Sequence, residues 1–364
     1  YSPLQISLGQ RGFFASTSTT STLMMIMVWV VFLFFVATLP VAKFQSNPFT
    51  RNSSLHLRSC AALTLVGFAA IIASEGALFF LRARQEVSIG ILGTLWRWLP
   101  VLGMILALSA RRWGYFWFFT AFLSVYFVTG DRTMPAIAAA SCLLVLFISS
   151  CNRRQRPSLF AATVFSALFV GLVFGKPIYL LIKSPSVEAM QVLFSEEALL
   201  GSLMAFEPLA TYSLLEVALS ERLEMDISLF VLSIFGNILI APSLFGVNTN
   251  YFNEFITDAF PSGISFGLGG NFFASAYVGL GFFGVVLLAG LFILSLHGLE
   301  KRALRSLGLK QGFLIMLGAT LAVYAHRNGI DNVFSFVRQI VLVTLIVAFV
   351  SLAQKALLPI RPRP

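Results

Sequence analysis

The sequence predicts an all-α, polytopic integral membrane protein, and three observations carry that prediction. Of 364 residues, 58% are hydrophobic and only 11% are charged, about half the charge of a soluble domain of this size. Apolar stretches of roughly 20 residues, the length that crosses a bilayer, recur from end to end. Lys and Arg are divided unevenly between alternate connections, which sets an orientation.

Nine spans follow in order, at about 23–42, 59–81, 88–110, 113–130, 134–151, 159–182, 271–296, 312–325 and 333–353. The eighth is short at its outer end, and an extension through His326 is an alternative. Fifteen Lys and Arg residues fall in one set of loops and the C-terminus, against seven in the other set. The richer set is therefore cytoplasmic, the N-terminus outside and the C-terminus inside. The net charge of +10 is mostly this basic face meeting anionic lipid, and it gives no reason to invoke nucleic acid. Residues 1–22 precede the first span without a basic n-region, so a removed signal peptide cannot be read. A trimmed chain and a missing upstream span fit that start equally well. Cys60, Cys142 and Cys151 all map to cytoplasmic span ends, which leaves no extracellular disulfide.

Three regions result: a bundle of six spans over 1–183, one long outside segment over 184–270, and three closing spans with a tail over 271–364. The long segment opens with acids, among them Glu207 and Glu216, and its leucines over 198–224 fall at rough helical spacing. They predict amphipathic helices on the membrane surface. Residues 227–241 are apolar but too short to span comfortably, which predicts a re-entrant or interfacial piece. If 198–219 and 227–246 both crossed, the count would be eleven.

Four charged residues lie inside predicted spans: Glu75, Arg97, Lys176 and Arg338. All fall in the outward half, and ionisable groups at such depth are functional candidates. Glu75 and Arg97 lie on antiparallel neighbours, so an ion pair is sterically reasonable, either at a site or fixing helix register. Lys176 reaches the interface by snorkelling or serves a ligand. Just outside the last span stand His326, Arg327 and Asp331, and the turn between spans four and five carries Arg132. Several arginines facing one outward cavity suit phosphate or pyrophosphate, because guanidinium binds those oxygens bidentately and stays charged. No P-loop, CxxC, HExxH or DxD pattern occurs. The reaction expected is one that runs without ATP, metal or cofactor, on a substrate already activated.

At this point the residues resemble a family. The stretch Gly269-Gly-Asn271-Phe-Phe-Ala-Ser-Ala-Tyr277-Val-Gly-Leu-Gly281-Phe-Phe-Gly284 is similar to the entry of a late span in Wzy-type O-antigen polymerases. Gly130-Asp-Arg132 resembles the Gly-Ser-Arg turn of the wider group that includes O-antigen ligases, with Asp131 replacing Ser. Phe336-Val-Arg338 resembles the late-span Arg of oligosaccharide repeat-unit polymerases, although Gln339-Ile340 stands where Gly-Asp is usual. The resemblance covers most of the chain in architecture and three short stretches in residues.

It implies a GT-C-like fold in a bacterial inner membrane, with 184–270 in the periplasm. It implies transfer of a glycan from undecaprenyl pyrophosphate onto an incoming lipid-linked repeat unit, with a chain-length regulator as a further partner. Arg132 and Arg338, then Arg327 and Arg97, are the expected pyrophosphate ligands. For the base the order is Glu207 and Glu216, then His326 and Asp331, each loop acid having a solvated face as its plainer role. A ligase of this group is expected to carry a histidine in the long loop, and 184–270 has none. A flippase would want charges in both membrane halves, whereas the cytoplasmic halves here are apolar.

Overall fold

The computed structural model describes residues 53–76, 91–128, 132–152, 221–238, 271–324 and 328–357, with isolated positions at 30, 32, 163, 167, 191, 195, 214, 215, 218, 219, 252 and 255. Among the described residues there are eight helices and no strand: α1 Ser53–Glu75, α2 Ile91–Ser109, α3 Trp113–Val128, α4 Thr133–Asn152, α5 Ile227–Ile238, α6 Phe272–Arg305, α7 Gly308–Tyr324 and α8 Ile330–Leu357. Three are long and apolar enough to cross a membrane: α1 from Ser54, α6 and α8. The predicted first and sixth spans and most of the long loop lie outside the described residues.

The chain divides into two compact units. One contains 42–182, 299–320 and 339–364; the other contains 183–298 and 321–338, with the first 41 residues.

In the unit built on α1 to α4, α2 is the centre and packs against α1, α3 and α4. Trp96 and Trp98 are both wholly buried. Trp96 fits because Gly67 of α1 has no side chain; a Cβ there would stand 3.2 Å from the Trp96 Cβ. Its ring meets Phe68 at 5.3 Å and Tyr126 at 4.4 Å between centroids, a tilted aromatic stack across three helices. Pro100 inside α2 has no N–H to give the Trp96 carbonyl, a local weakness that the surrounding packing tolerates. Several polar side chains in this unit are paired, although among the described residues Ser141 Oγ is buried without a hydrogen-bond partner. The Trp98 indole donates to Gln339 Oε1 at 2.7 Å, and Ser59 Oγ meets Ser351 Oγ at 2.8 Å and Gln354 Oε1 at 3.1 Å. Thr64 and Thr320 return their hydroxyl protons to carbonyls of their own helices, Cys60 O and Met316 O, both at 2.7 Å. Where no water is at hand, such pairing is what makes a hydroxyl tolerable. Cys60 and Cys142 are buried free thiols.

The other unit is organised around a broken helix. In α6, Gly281 has φ 62 and ψ −155, a region essentially closed to residues with a Cβ. The break folds the chain so closely that the Ala276 carbonyl and Leu280 side chain fill the space a Cβ at Gly284 would need. A carbonyl in the same stretch, Val278 O, accepts the Met225 N–H at 2.9 Å. That bond ties down the segment leading into α5. Asp226 caps α5: its Oδ1 takes the Ser228 hydroxyl and, at 2.7 Å, the Ser228 amide. Those two bonds hold the exposed Asp226 carboxyl below the usual carboxylate range. Phe230 of α5 then lays its ring where Gly279 leaves room. The outward residues of α5, including Ile227, Val231 and Phe235, are apolar and exposed.

Several predicted boundaries shift. The second span was expected to continue beyond Glu75, but α1 ends at that residue because Gly76 turns left-handed with φ 68. Glu75 is therefore a helix-end residue. The seventh predicted span stops at 296, whereas α6 continues to Arg305, taking Lys301 and Arg302 into helix. Asp331, expected just outside the last span, sits in the first turn of α8.

Candidate functional site

The site is assembled at the junction of α6 and α8 within one unit. Asn271 caps α6, its Oδ1 accepting from Phe273 N at 2.9 Å and Ala274 N at 3.1 Å. One turn on, Ser275 donates to Asn271 O at 3.1 Å and accepts the Ile330 N–H at 3.2 Å. Ile330 opens α8, so a hydroxyl of one helix satisfies an otherwise orphaned amide of another. The Gly329 carbonyl accepts from Val333 N at 3.2 Å, which makes Gly329 the residue capping α8.

Asp331 follows in the first turn and is wholly buried. Among the described residues no side chain or well-aligned amide bonds either carboxylate oxygen, the Asp331 and Asn332 amides alone lying near them, and the buried Nδ2 of Asn328 three residues earlier has no partner either. The immediate surroundings are apolar. Ile330, Val333 and Phe252 are buried beside it, and a Cβ at Gly329 would lie 2.6 Å from both Asp331 Oδ1 and the Phe252 ring. Having no side chain, Gly329 leaves room for carboxylate and ring together. A buried group without partners costs about 1–3 kcal/mol, as much as one or more ordinary hydrogen bonds contribute. The positive end of the α8 dipole offsets part of that cost. Such an arrangement persists when the group is needed for something other than stability.

Further along α8, Ser335 and Arg338 stand four and seven residues after Asp331, on the same face. Arg338 is half-buried, and its Nη2 makes a long 3.5 Å contact with Ser335 Oγ. About 10 Å of helix axis separates acid from guanidinium. In the other unit, Arg97 lies between the two buried tryptophans of α2, half-buried and partnered. Arg132 precedes α4, which it caps through its carbonyl to Ala136 N at 3.1 Å. α2 and α4 are packed neighbours, so these two arginines belong to one unit, while Asp331 and Arg338 belong to the other. Glu207, Glu216, His326 and Arg327 lie outside the described residues.

Comparison with protein-family models, with curated proteins and with solved structures gave no match. Sequence reasoning named Asp331 and Arg338 but missed Asn328, Ser275 and Ser335. The signal for the last was present as polar residues at i, i+4 and i+7 in an apolar helix. Asn328 and Ser275 gave none, since their roles depend on the meeting of two distant segments.

Proposed function

We propose that this chain is a membrane glycosyltransferase that polymerises oligosaccharide repeat units carried on undecaprenyl pyrophosphate, as O-antigen or a related surface polysaccharide. The proposal includes nine spans, or eleven, in a GT-C-like bundle of the bacterial inner membrane, with a periplasmic site and a cytoplasmic C-terminus. One observation supports it above the others: a buried, unpartnered carboxylate shares a face of an apolar helix with an arginine two turns away.

In this reading the acceptor hydroxyl attacks the anomeric carbon of the donor glycan. The bond from that carbon to the pyrophosphate oxygen breaks as the new glycosidic bond forms. Asp331 takes the hydroxyl proton, and Glu207, Glu216 and His326 are the other candidates for that role. Arg338 and Arg132, with Arg327 and Arg97, neutralise the departing pyrophosphate, where charge develops. Exclusion of water around Asp331 protects the activated glycan from hydrolysis.

Deleting the protein from a host that makes O-antigen should remove the long ladder of surface glycolipid while leaving one repeat unit on the core. Bare core would instead mean a ligase or flippase. Arg338→Ala and Arg132→Ala should each abolish polymer with membrane insertion intact, and wild-type polymer in both would remove pyrophosphate binding from the assignment.

A further inference from the structure

The connection between α2 and α3 is a place where the chain chooses against its own backbone preference. α2 ends in a Schellman turn, with Arg112 N bonded to Ala107 O at 2.8 Å and Arg111 N to Leu108 O at 3.1 Å. The residue at the left-handed position of such a turn is usually glycine, but here it is Arg111, with φ 54. Arg112 follows directly. Both side chains are exposed, and neither has a partner among the described residues. No acidic residue occurs anywhere from 91 to 128 to neutralise them.

Beside this pair stand two tryptophans. Trp113 and Trp117, 52% and 64% exposed, occupy positions i and i+4 on one side of α3. Phe116 meets both edge-on, at 5.6 Å and 5.4 Å between centroids, so the two indoles are held as a fixed aromatic shelf. Beyond the shelf both helices are mostly apolar: Thr120 and Ser124 of α3 return their hydroxyls to carbonyls of their own helix, and Arg97 of α2 lies fourteen residues before Arg111. The order along the hairpin is thus two cations, then two exposed indoles, then hydrocarbon-compatible helix. A phospholipid has the same order: phosphate, glycerol and carbonyl region, acyl chain. Indoles settle at that middle level.

We infer that this turn is a binding site for the headgroup of an anionic phospholipid of the phosphatidylglycerol type. Arg111 and Arg112 hold the phosphodiester, and Trp113 and Trp117 lie against the glycerol and upper acyl chain. Free phosphate would use the arginines but leave the tryptophan shelf exposed to water, which is why a lipid is the fitting occupant. The inference does not depend on which side of the membrane the turn faces, nor on the proposed glycosyl transfer.

The test uses the full chain in phosphatidylcholine nanodiscs containing either brominated phosphatidylglycerol or brominated phosphatidylcholine at equal mole fraction. Bromine quenches tryptophan on contact, and a Trp113→Phe/Trp117→Phe variant supplies the background of the remaining tryptophans. Wild-type quenching should be greater with the glycerol lipid, and that preference should fall about fivefold for each arginine removed. Arg111→Gln/Arg112→Gln removes both. Arg111→Gly keeps the left-handed turn with the residue that suits it, so it folds and should still lose about fivefold. Equal quenching by the two lipids in the wild type, or an undiminished preference in Arg111→Gly or the double variant, overturns the assignment.

Discussion

The two ends of α8 treat polar side chains in opposite ways. Near its end, Ser351 and Gln354 are matched to Ser59 of α1 by hydrogen bonds of 2.8 Å and 3.1 Å. Near its start, Asp331 is buried as deeply, yet neither carboxylate oxygen is matched. Satisfied pairs join helices and contribute about 1 kcal/mol each, whereas an unsatisfied carboxylate subtracts stability. The first kind of group explains how the bundle stays together. The second is better explained by work done on something else.

The largest effect should come from removing the unmatched group. On the proposed reading, Asp331→Leu is expected to cut polymer formation about 10²–10⁴-fold. The same variant should unfold later in detergent, with a gain of about 1–3 kcal/mol, because an apolar group replaces an unpaired polar one. A fall in melting temperature together with lost activity would make Asp331 a structural residue and erase the contrast. Next comes Gly329→Ala, whose methyl would compete with Asp331 Oδ1 and the Phe252 ring. It should cost about 1–3 kcal/mol and lower activity, both read on the purified protein. Gly281→Ala should cost a similar 1–3 kcal/mol of stability by forcing a Cβ into the broken stretch of α6. At the matched end, Ser351→Ala should cost only about 1 kcal/mol in thermal unfolding and leave polymer length unchanged. A double-mutant cycle of Ser59→Ala and Ser351→Ala should return a coupling of about 0.5–1.5 kcal/mol, and a null coupling would deny those hydroxyls their joining role.

The helices themselves were legible because apolar length is a strong signal, and α2, α3 and α4 fall close to their predicted ranges. The short apolar piece at 227–241 was also readable as something other than a full span, and it folds as the twelve-residue α5. Helix ends were harder. α6 outruns its hydropathy signal because Lys301, Arg302 and Arg305 are good helix formers, with Arg302 and Arg305 placed at the favourable end of the helix dipole. Asp331 read as a loop residue because Asn328, Gly329 and the charges before them carry a loop composition. Its burial depends on Phe252 and on a Ser275 bond between segments 55 residues apart. No local pattern encodes such a meeting.

The broken helix also changes how its length should be counted. As a straight rod, the 34 residues of α6 would reach roughly 51 Å, well beyond the 30 Å or so of hydrocarbon in a bilayer. Divided at Gly281, the portion 282–305 alone measures roughly 36 Å and is sufficient to cross. The portion before the break is then released from spanning. It serves as a bracket, gripping α5 through Phe230 and Met225 and delivering Ser275 to the start of α8. One glycine thus lets a single continuous segment be both a membrane crossing and the mount for the buried acid.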